Sequence, residues 1–453
     1  MRTLIKKLVP TSLFRKVEPY GHLLEAIVEE TVYGFPAKNL KVIGVTGTDG
    51  KTSTSTLITQ MMRSAGYKVA MMTTISVDYG DGIDHPNPTR LTSLGSLELV
   101  KELKKIKAAG AEWLVLETTS HALAQHRVWG VPYTIGVMTN IGHEHLDYHG
   151  TFENYRDAKK MLFEQVNANK KGLRVGVANA DDPSGELFAA AVKNPVLYGT
   201  KQGSLLAKDI NLSPSGSTYI AVIGQESYSI TCHLPGSFNV YNSLAVVAVG
   251  RALGLTKVQI EQGIASLTSV EGRMTRVDEG QDFDVIVDYA HTPESFEKVF
   301  KEVKQLVQGK MIVVFGSAGR RDIEKRAAQG KMAGKYCDIV IATEEDDRDI
   351  DGHEILSQIA GGAETEGKVR NENLFLILKR EEAIEKALKL AKEGDMVLLL
   401  GKGHEKSILY NGPKAAEYRS RPQDDTDPER VLKRDYDEVT AARTILKLLT
   451  HKY

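Results

Sequence analysis

The chain has 453 residues, 42% apolar and 26% charged, and a net charge of −1. Single cores rarely grow past roughly 250–300 residues, so two or three domains are expected. The balanced charge excludes a global basic field for nucleic acid or an anionic membrane, and two cysteines, Cys232 and Cys337, exclude a disulfide scaffold or a cysteine zinc site.

The chain opens on "MRTLIKKLVPTSLFRKVEPYGHLL", where charges interrupt every apolar run. There is no signal-peptide core, and nowhere do 18 consecutive apolar residues occur. A cytoplasmic protein without membrane insertion is expected, with residues 1–38 forming a short helical leader. A basic amphipathic helix touching a membrane or partner is the other reading of this segment.

From residue 41 the pattern alternates. "KVIGVT" reads as a strand, "TSTLITQMMRSAG" as a helix and "KVAMMTTI" as a strand. "SLELVKELKKIKAAG" is an amphipathic helix, and "EWLVLE", "YTIGVMTN" and "RVGVANADD" are further strands. Strands alternating with helices argue for a parallel α/β sheet, whose ligands collect beyond the carboxyl ends of the strands. Glu117, Asn140 and Asp181 fall at such ends. Residues 196–235 are turn-rich and suggest antiparallel hairpins, and two helices follow, in "SFNVYNSLAVVAVGRALG" and "VQIEQGIASL". A second alternating block starts near 283, with strands in "DVIVDYA", "MIVVFGS", "DIVIATE", "LFLILK" and "MVLLLGKG". The expected organisation is a central P-loop ATPase domain over 39–271 and a C-terminal Rossmann-like α/β domain over 272–453. "RSRPQDDTDPER" reads as a polar, mobile surface loop.

"GVTGTDGKTSTSTLI" follows the first strand and opens a helix, the setting of a phosphate-binding loop. The common P-loop has four residues between its first glycine and Gly-Lys-Ser/Thr; here Gly47 and Gly50 have two between them. Lys51 is placed to reach the terminal phosphates, and Thr52 offers a hydroxyl to magnesium. Glu117 ends a strand on the same rim, where a carboxylate can hold a metal or be an ordinary strand-end residue. In "TFENYRDAKKMLFEQV" the apolar helix face runs Phe152, Tyr155, Leu162, Phe163, Val166. That spacing turns Lys159 inward and Lys160 outward. A buried lysine carries a depressed pKa or a partner, or else snorkels its stem over the core.

The shortened loop "TGTDGKTS" resembles that of the Mur ligase family. The resemblance continues in order through "LETTSHALAQHRV", "TNIGHEHLDYHGTFENYRDAKKMLF", "NADD", "LPGSFNVYNSLAV", "VEGRMTRV", "VDYAHTPESFEKV", "FGSAGRRDIEKR" and "LLGKGHE", over about nine-tenths of the chain. It implies an ATP-dependent amide ligase of peptidoglycan precursor synthesis. ATP converts a muramoyl-peptide carboxylate to an acyl phosphate, an amino acid's amine attacks, and phosphate leaves. ATP and Mg2+ are the implied cofactors, with carbon dioxide held as a lysine carbamate on Lys159. Metals, cations and positioning carry such chemistry.

By the same resemblance, Gly47, Thr48, Asp49, Gly50, Lys51, Thr52 and Ser53 cradle the phosphates, and Thr52, Glu117, His145 and Lys159 serve the metals. His143 and His149 are read as structural or solvated. Asn239, Asp288 and His291 surround base and ribose, and Arg273 lies at a domain joint near the terminal phosphate. Lys51, Lys159 and Arg273 form the implied catalytic set. Thr92, Ser93, Ser120, Gln125 and Arg127 match acceptor positions; Arg326, Arg348, Gly401 and Glu405 match amino-acid positions. A monomer binding only small molecules is expected. The rival readings are a folylpolyglutamate synthetase-like ligase of the same superfamily and a non-catalytic nucleotide-binding relative.

Two departures from the family stand out. Gly47 follows only 46 residues, too few for the family's uridine-binding domain. The expectation is therefore an acceptor held by peptide and sugar, with Arg2, Lys6 and Lys7 replacing any diphosphate contacts. Secondly, where diaminopimelate-adding members show Asp-Asn-Pro-Arg, this chain has Glu345, Asp346, Asp347 and Arg348. The arginine suits a carboxylate and the extra negative charge a cationic group. Lysine, ornithine and diaminopimelate all meet that description.

Overall fold

The computed structural model describes residues 11–86, 94–320, 323–410 and 432–450. Thr92 and Ser93, the basic residues Arg2, Lys6 and Lys7, and the loop "RSRPQDDTDPER" lie outside the described residues. The chain divides into two compact units, one ending at Thr268 and one beginning at Ser269, apart from two short exchanged segments at 212–216 and 234–236.

The first unit is built on an eleven-stranded sheet. Its strands are β1 (Lys41–Thr46), β2 (Val69–Met72), β3 (Ser76–Asp78), β4 (His85–Pro86), β5 (Trp113–Glu117), β6 (Tyr133–Met138), β7 (Val175–Asn179), β8 (Asn194–Gly199), β9 (Leu205–Ser213), β10 (Gly216–Ile223) and β11 (Glu226–Cys232). The order is β11-β10-β9-β8-β7-β6-β1-β5-β2-β3-β4. β1 lies between β5 and β6 and is parallel to both, so Thr46, Glu117 and Met138 end on one rim. These strands are buried on both faces, which is why they read as continuous apolar runs rather than alternating ones.

Helices Lys51–Ser64, Ser96–Ala108, Phe152–Ala168 and Phe238–Ala252 belong to the same unit. Helix Phe152–Ala168 starts where the Thr151 hydroxyl accepts from the Asn154 N–H, an N-cap worth ~1 kcal/mol. It buries Tyr155, Ala158, Lys159, Leu162, Phe163 and Val166. Helix Thr11–Tyr33 exposes Tyr20, Leu24, Val28 and Val32 and buries Ala26 and Glu30.

The hairpin expectation for 196–235 needs correction. β10 and β11 do form an antiparallel hairpin. β8 and β9, however, pair in parallel through Tyr198–Leu205 and Gly199–Leu206. The Asp181 carboxylate explains so short a parallel connection. It accepts from the N–H groups of Thr200, Lys201 and Gln202 and from the Tyr241 hydroxyl, pinning the connecting loop. Burial acts to raise the Asp181 pKa, but these donors outweigh it and the carboxyl sits below its usual range.

The second unit holds β12 (Thr275–Arg276), β13 (Asp284–Asp288), β14 (Met311–Phe315), β15 (Ile339–Ala342), β16 (Leu374–Leu376) and β17 (Met396–Leu400), in the order β12-β13-β17-β14-β15-β16. All pairings are parallel except β12 with β13. Side chains alternate across this sheet. Ile286, Val313 and Leu398 join one apolar cluster; Val285, Val287, Ile312 and Leu399 join the other. β18 (Ser407–Tyr410) and β19 (Leu432–Asp435) form a separate antiparallel pair. Both cysteines are free and buried. Among the described residues no helix is long and apolar enough to cross a membrane.

Candidate active site

In the first unit, β1 runs into loop 47–50 and then helix Lys51–Ser64. Gly47 (φ +149°) and Gly50 (φ +80°) take backbone angles that L side chains avoid. A Cβ at Gly47 would strike the Thr139 hydroxyl, and one at Gly50 the Asn242 side-chain oxygen. The loop between them is clamped. The Thr48 N–H donates to Asn140 O (2.8 Å), the Asp49 N–H to Asn140 Oδ1 (3.0 Å) and the Thr139 hydroxyl to Asp49 O (2.6 Å). The Gly142 N–H donates to Thr48 Oγ1 at 2.7 Å. Asn242 donates to Asn239 Oδ1 at 2.8 Å, so Asn239 sits just behind Gly50. Ser53 is buried in the helix's first turn.

The Lys51 ammonium folds over this loop, donating to Gly47 O (3.0 Å) and Thr48 O (2.6 Å). The Thr52 hydroxyl donates to Glu117 Oε2 at 2.9 Å, and the Thr74 N–H reaches the same oxygen at 3.2 Å. Lys159 is 2% exposed and donates to Gly47 O at 2.6 Å. Its ammonium lies 4.7 Å from the centre of the Tyr155 ring. Burial, then the positive charge of Lys51, push its pKa well below the lysine range. Its neighbour Lys160 instead pairs outward with Glu164.

Tyr155 was legible only as an apolar-face residue. Its hydroxyl lies 3.0 Å from Thr48 Oγ1 and donates to Glu144 Oε2 at 3.3 Å, which brings helix Phe152–Ala168 onto the loop. His145 is exposed, 3.8 Å from Glu144, with its ring 4.8 Å from that of His121. His149 lies 3.1 Å from the buried Ser120 hydroxyl, and the His143 ring sits 4.7 Å from that of Phe152. Gln125 is buried with Oε1 unpaired among the described residues, and Arg127 is half-buried two residues further on. Among the described residues, no group of three or more His, Cys, Asp or Glu converges as a metal cage. The Thr52 hydroxyl and Glu117 carboxylate are oxygen donors, the set that suits Mg2+ completed by phosphate oxygens and water.

The second unit carries a second group. Asp288 ends β13 and accepts from the N–H groups of Met274 and Ala290, both at 2.8 Å. Burial raises its pKa, against the pull of Arg273. Arg273 stacks 5.4 Å over the Tyr289 ring, and its Nε is buried without a partner among the described residues. His404 lies on the same ring at 4.6 Å. Its pKa is pushed down to about 3 by burial and by Arg273, so the imidazole is neutral. The His291 ring nitrogen meets Tyr289 O at 2.9 Å. Arg326 is buried and donates to Gln358 at 2.7 Å; Arg348 takes φ +59° and donates its N–H to Leu409 O at 3.0 Å.

The structure adds a buried cation beside the 345–348 segment. Lys402, fully buried, donates to Asp346 (3.0 Å) and Glu405 (2.6 Å), so one ammonium is shared by two carboxylates and offsets one of the two charges. Lys402 lies in "GKGHE", but nothing in its spacing signalled this bridge. Asp347 accepts from the Glu345 N–H, and Glu345 is the carboxylate of this segment with an unpaired oxygen. It is 8% exposed, its Oε2 has no partner among the described residues, and it lies against Gly401. Burial pushes its pKa up, opposed by Lys402.

A glycine loop between a parallel strand and a helix, with a lysine folded over it and a hydroxyl–carboxylate pair beside it, defines a nucleotide-phosphate site of the P-loop class. The Mur ligase middle domain matches residues 45–250, and the Mur ligase, glutamate ligase domain matches residues 272–403. The chain belongs to the Mur ligase family. It is similar to the UDP-N-acetylmuramyl-tripeptide synthetase of Roseiflexus sp. (strain RS-1), at 39% identity over 404 residues, covering 86% of this chain and 79% of the relative. It is 38% identical over 393 residues to the UDP-N-acetylmuramoyl-L-alanyl-D-glutamate--2,6-diaminopimelate ligase of Geobacillus thermodenitrificans (strain NG80-2), covering 86% and 79% of the two chains. A solved structure of a UDP-N-acetylmuramoyl-L-alanyl-D-glutamate--2,6-diaminopimelate ligase matches with TM-score 0.66 and 28% identity, covering 96% of this chain and 83% of that one. The protein is accordingly an ATP-dependent amide ligase of peptidoglycan synthesis.

Proposed function

We propose that this ligase adds a diamino acid to the free carboxylate of a muramoyl dipeptide, acting as a cytoplasmic monomer. The observation that carries the amino-acid choice is Glu345, a buried carboxylate with an oxygen beside Gly401 that has no partner among the described residues. A cationic side-chain amine is the group such an oxygen lacks. The names of the two relatives, a tripeptide synthetase and a diaminopimelate ligase, support the same step.

Loop 47–50, Lys51 and Ser53 would hold the phosphates of ATP, with Asn239, Asp288 and His291 serving the nucleoside. Thr52, Glu117 and His145 would hold Mg2+, which when bound neutralises charge on the transferring phosphoryl group. Lys51 is already above the loop, and exchanging its two carbonyl partners for phosphate oxygens needs only a side-chain rotation. Arg273 offers a second cation. Burial pushes the Lys159 amine toward its neutral form, the form that adds carbon dioxide, and its carbamate would contribute a further anionic ligand. Ser120, Gln125 and Arg127 would orient the acceptor; Arg326, Arg348, Gly401 and Glu405 would orient the amino acid. The acceptor carboxylate takes the γ-phosphoryl group, the amine displaces phosphate, and the amine's proton leaves with water.

The test is an amino-acid panel with ATP and a UDP-linked muramoyl-alanyl-glutamate acceptor, read by product mass. A ligated product with lysine, ornithine or diaminopimelate, and none with alanine or glutamate, is the expected result. Preference for a neutral or acidic amino acid would refute the role given to Glu345.

A further inference from the structure

Arg380 opens helix Arg380–Leu390 and is 0% exposed. Its guanidinium makes four hydrogen bonds, and they fall into two pairs. Nε and Nη2 donate to the two oxygens of Glu438, at 2.8 and 2.7 Å. Nη1 donates to Glu344 O at 3.0 Å, and Nη2 also donates to Leu400 O at 2.8 Å. The Glu438 carboxylate is held in turn by the Tyr436 hydroxyl at 2.7 Å. The bidentate pair fixes the plane of the guanidinium, and the fixed plane aims the other two N–H groups.

Stability does not account for this arrangement. A buried ion pair is often matched or exceeded by apolar residues of the same volume. What apolar residues cannot do is hold two carbonyls in a set direction. Glu344 immediately precedes Glu345, and Leu400 immediately precedes Gly401. The Glu344 carbonyl lies in the loop after β15 and the Leu400 carbonyl at the end of β17, strands that the sheet separates by β14. Glu345 and Gly401 are in contact across those loops, 2.9 Å from Glu345 Oε2 to where a Gly401 Cβ would stand. Lys402 ties the same loops a second time, through Asp346.

We infer that Arg380 is a positioning residue for the amino-acid pocket, setting the separation of the loops that carry Glu345 and Gly401 by gripping the carbonyl before each. This rests on reading Arg348, Gly401 and Glu405 as the amino-acid site. Arg380 itself touches no substrate. It acts through backbone, so its loss widens or shifts the pocket without altering the P-loop.

The experiment uses the full chain with Arg380→Lys, which keeps the cation beside Glu438 but lacks the planar fork. KM for the amino acid, kcat, ATP affinity and thermal unfolding are measured together. The expected result is a rise in amino-acid KM of about tenfold or more, with kcat and ATP affinity within about threefold of wild type. An unchanged amino-acid KM, or a loss of kcat and ATP affinity in step with lost folded protein, overturns the proposal. If Arg380→Lys does not fold, Glu438→Gln serves. It keeps the shape but weakens the grip that fixes the guanidinium plane, and amino-acid KM should still rise about threefold or more; no rise overturns the proposal. Glu405→Gln separates the two ideas. If it leaves amino-acid KM unchanged, the site reading itself fails; if it raises KM while Arg380→Lys does not, only the positioning role fails.

Discussion

Two lysines donate to one carbonyl, Gly47 O: Lys51 from its own loop at 3.0 Å and Lys159 from helix Phe152–Ala168 at 2.6 Å. Two ammonium groups so close repel, and the buried one gives up its proton more readily. In the proposed reading Lys51 faces the phosphates, and Lys159, pushed well below the lysine range by burial and by Lys51, is the amine that takes up carbon dioxide. Replacing Lys51 with alanine should leave the fold intact and lower kcat about 100- to 1,000-fold, the usual cost of one aimed transition-state donor, as read by phosphate release. Lys159→Ala should lose activity and Lys160→Ala should not. Wild-type activity should fall in bicarbonate-free buffer and return on adding bicarbonate. Equal effects of the two alanine variants, or indifference to bicarbonate, would count against a carbamate. The inward turn of Lys159 was readable from spacing because a helix repeats every 3.6 residues. The Lys402 bridge was not, because it joins residues 56 apart in sequence, and no local period reports such a contact.

At the scale of elements, strands buried on both faces were the easiest to read, since continuous β-branched runs have few other uses. The β8–β9 connection was misread because its parallel pairing depends on Asp181, which lies 19 residues before the nearest loop residue it holds. The N-terminal helix carries its own test. Glu30 is 1% exposed, with neither carboxylate oxygen paired among the described residues, and burial raises its pKa to about 7. The folded state thus binds a proton that the unfolded chain releases near pH 4.5. Stability from this group is present below that pH and is lost as pH rises through about 7. Glu30→Gln should remove the loss, raising stability by about 1–3 kcal/mol at pH 8 and changing little at pH 4. Thermal melts of both proteins across that range check it. A gap that does not grow with pH would refute the assignment.

For the whole molecule, the sequence blocks carried the family because they occur in order along nearly the full chain. The charge balance around Glu345–Arg348 was hidden, since it depends on the buried Lys402, which reaches Asp346 from the loop after β17. The central claim is that ATP cleavage is coupled to joining a diamino acid to a muramoyl peptide. The most direct measurement is an omission assay on the purified chain, following phosphate release and product mass with ATP, acceptor and each amino acid present or withheld. One phosphate is expected per ligated product, with sustained release only when all three substrates are present and the amino acid is a diamino acid. Sustained release without the amino acid, or ligation of glutamate to a folate acceptor in place of any muropeptide product, would contradict it.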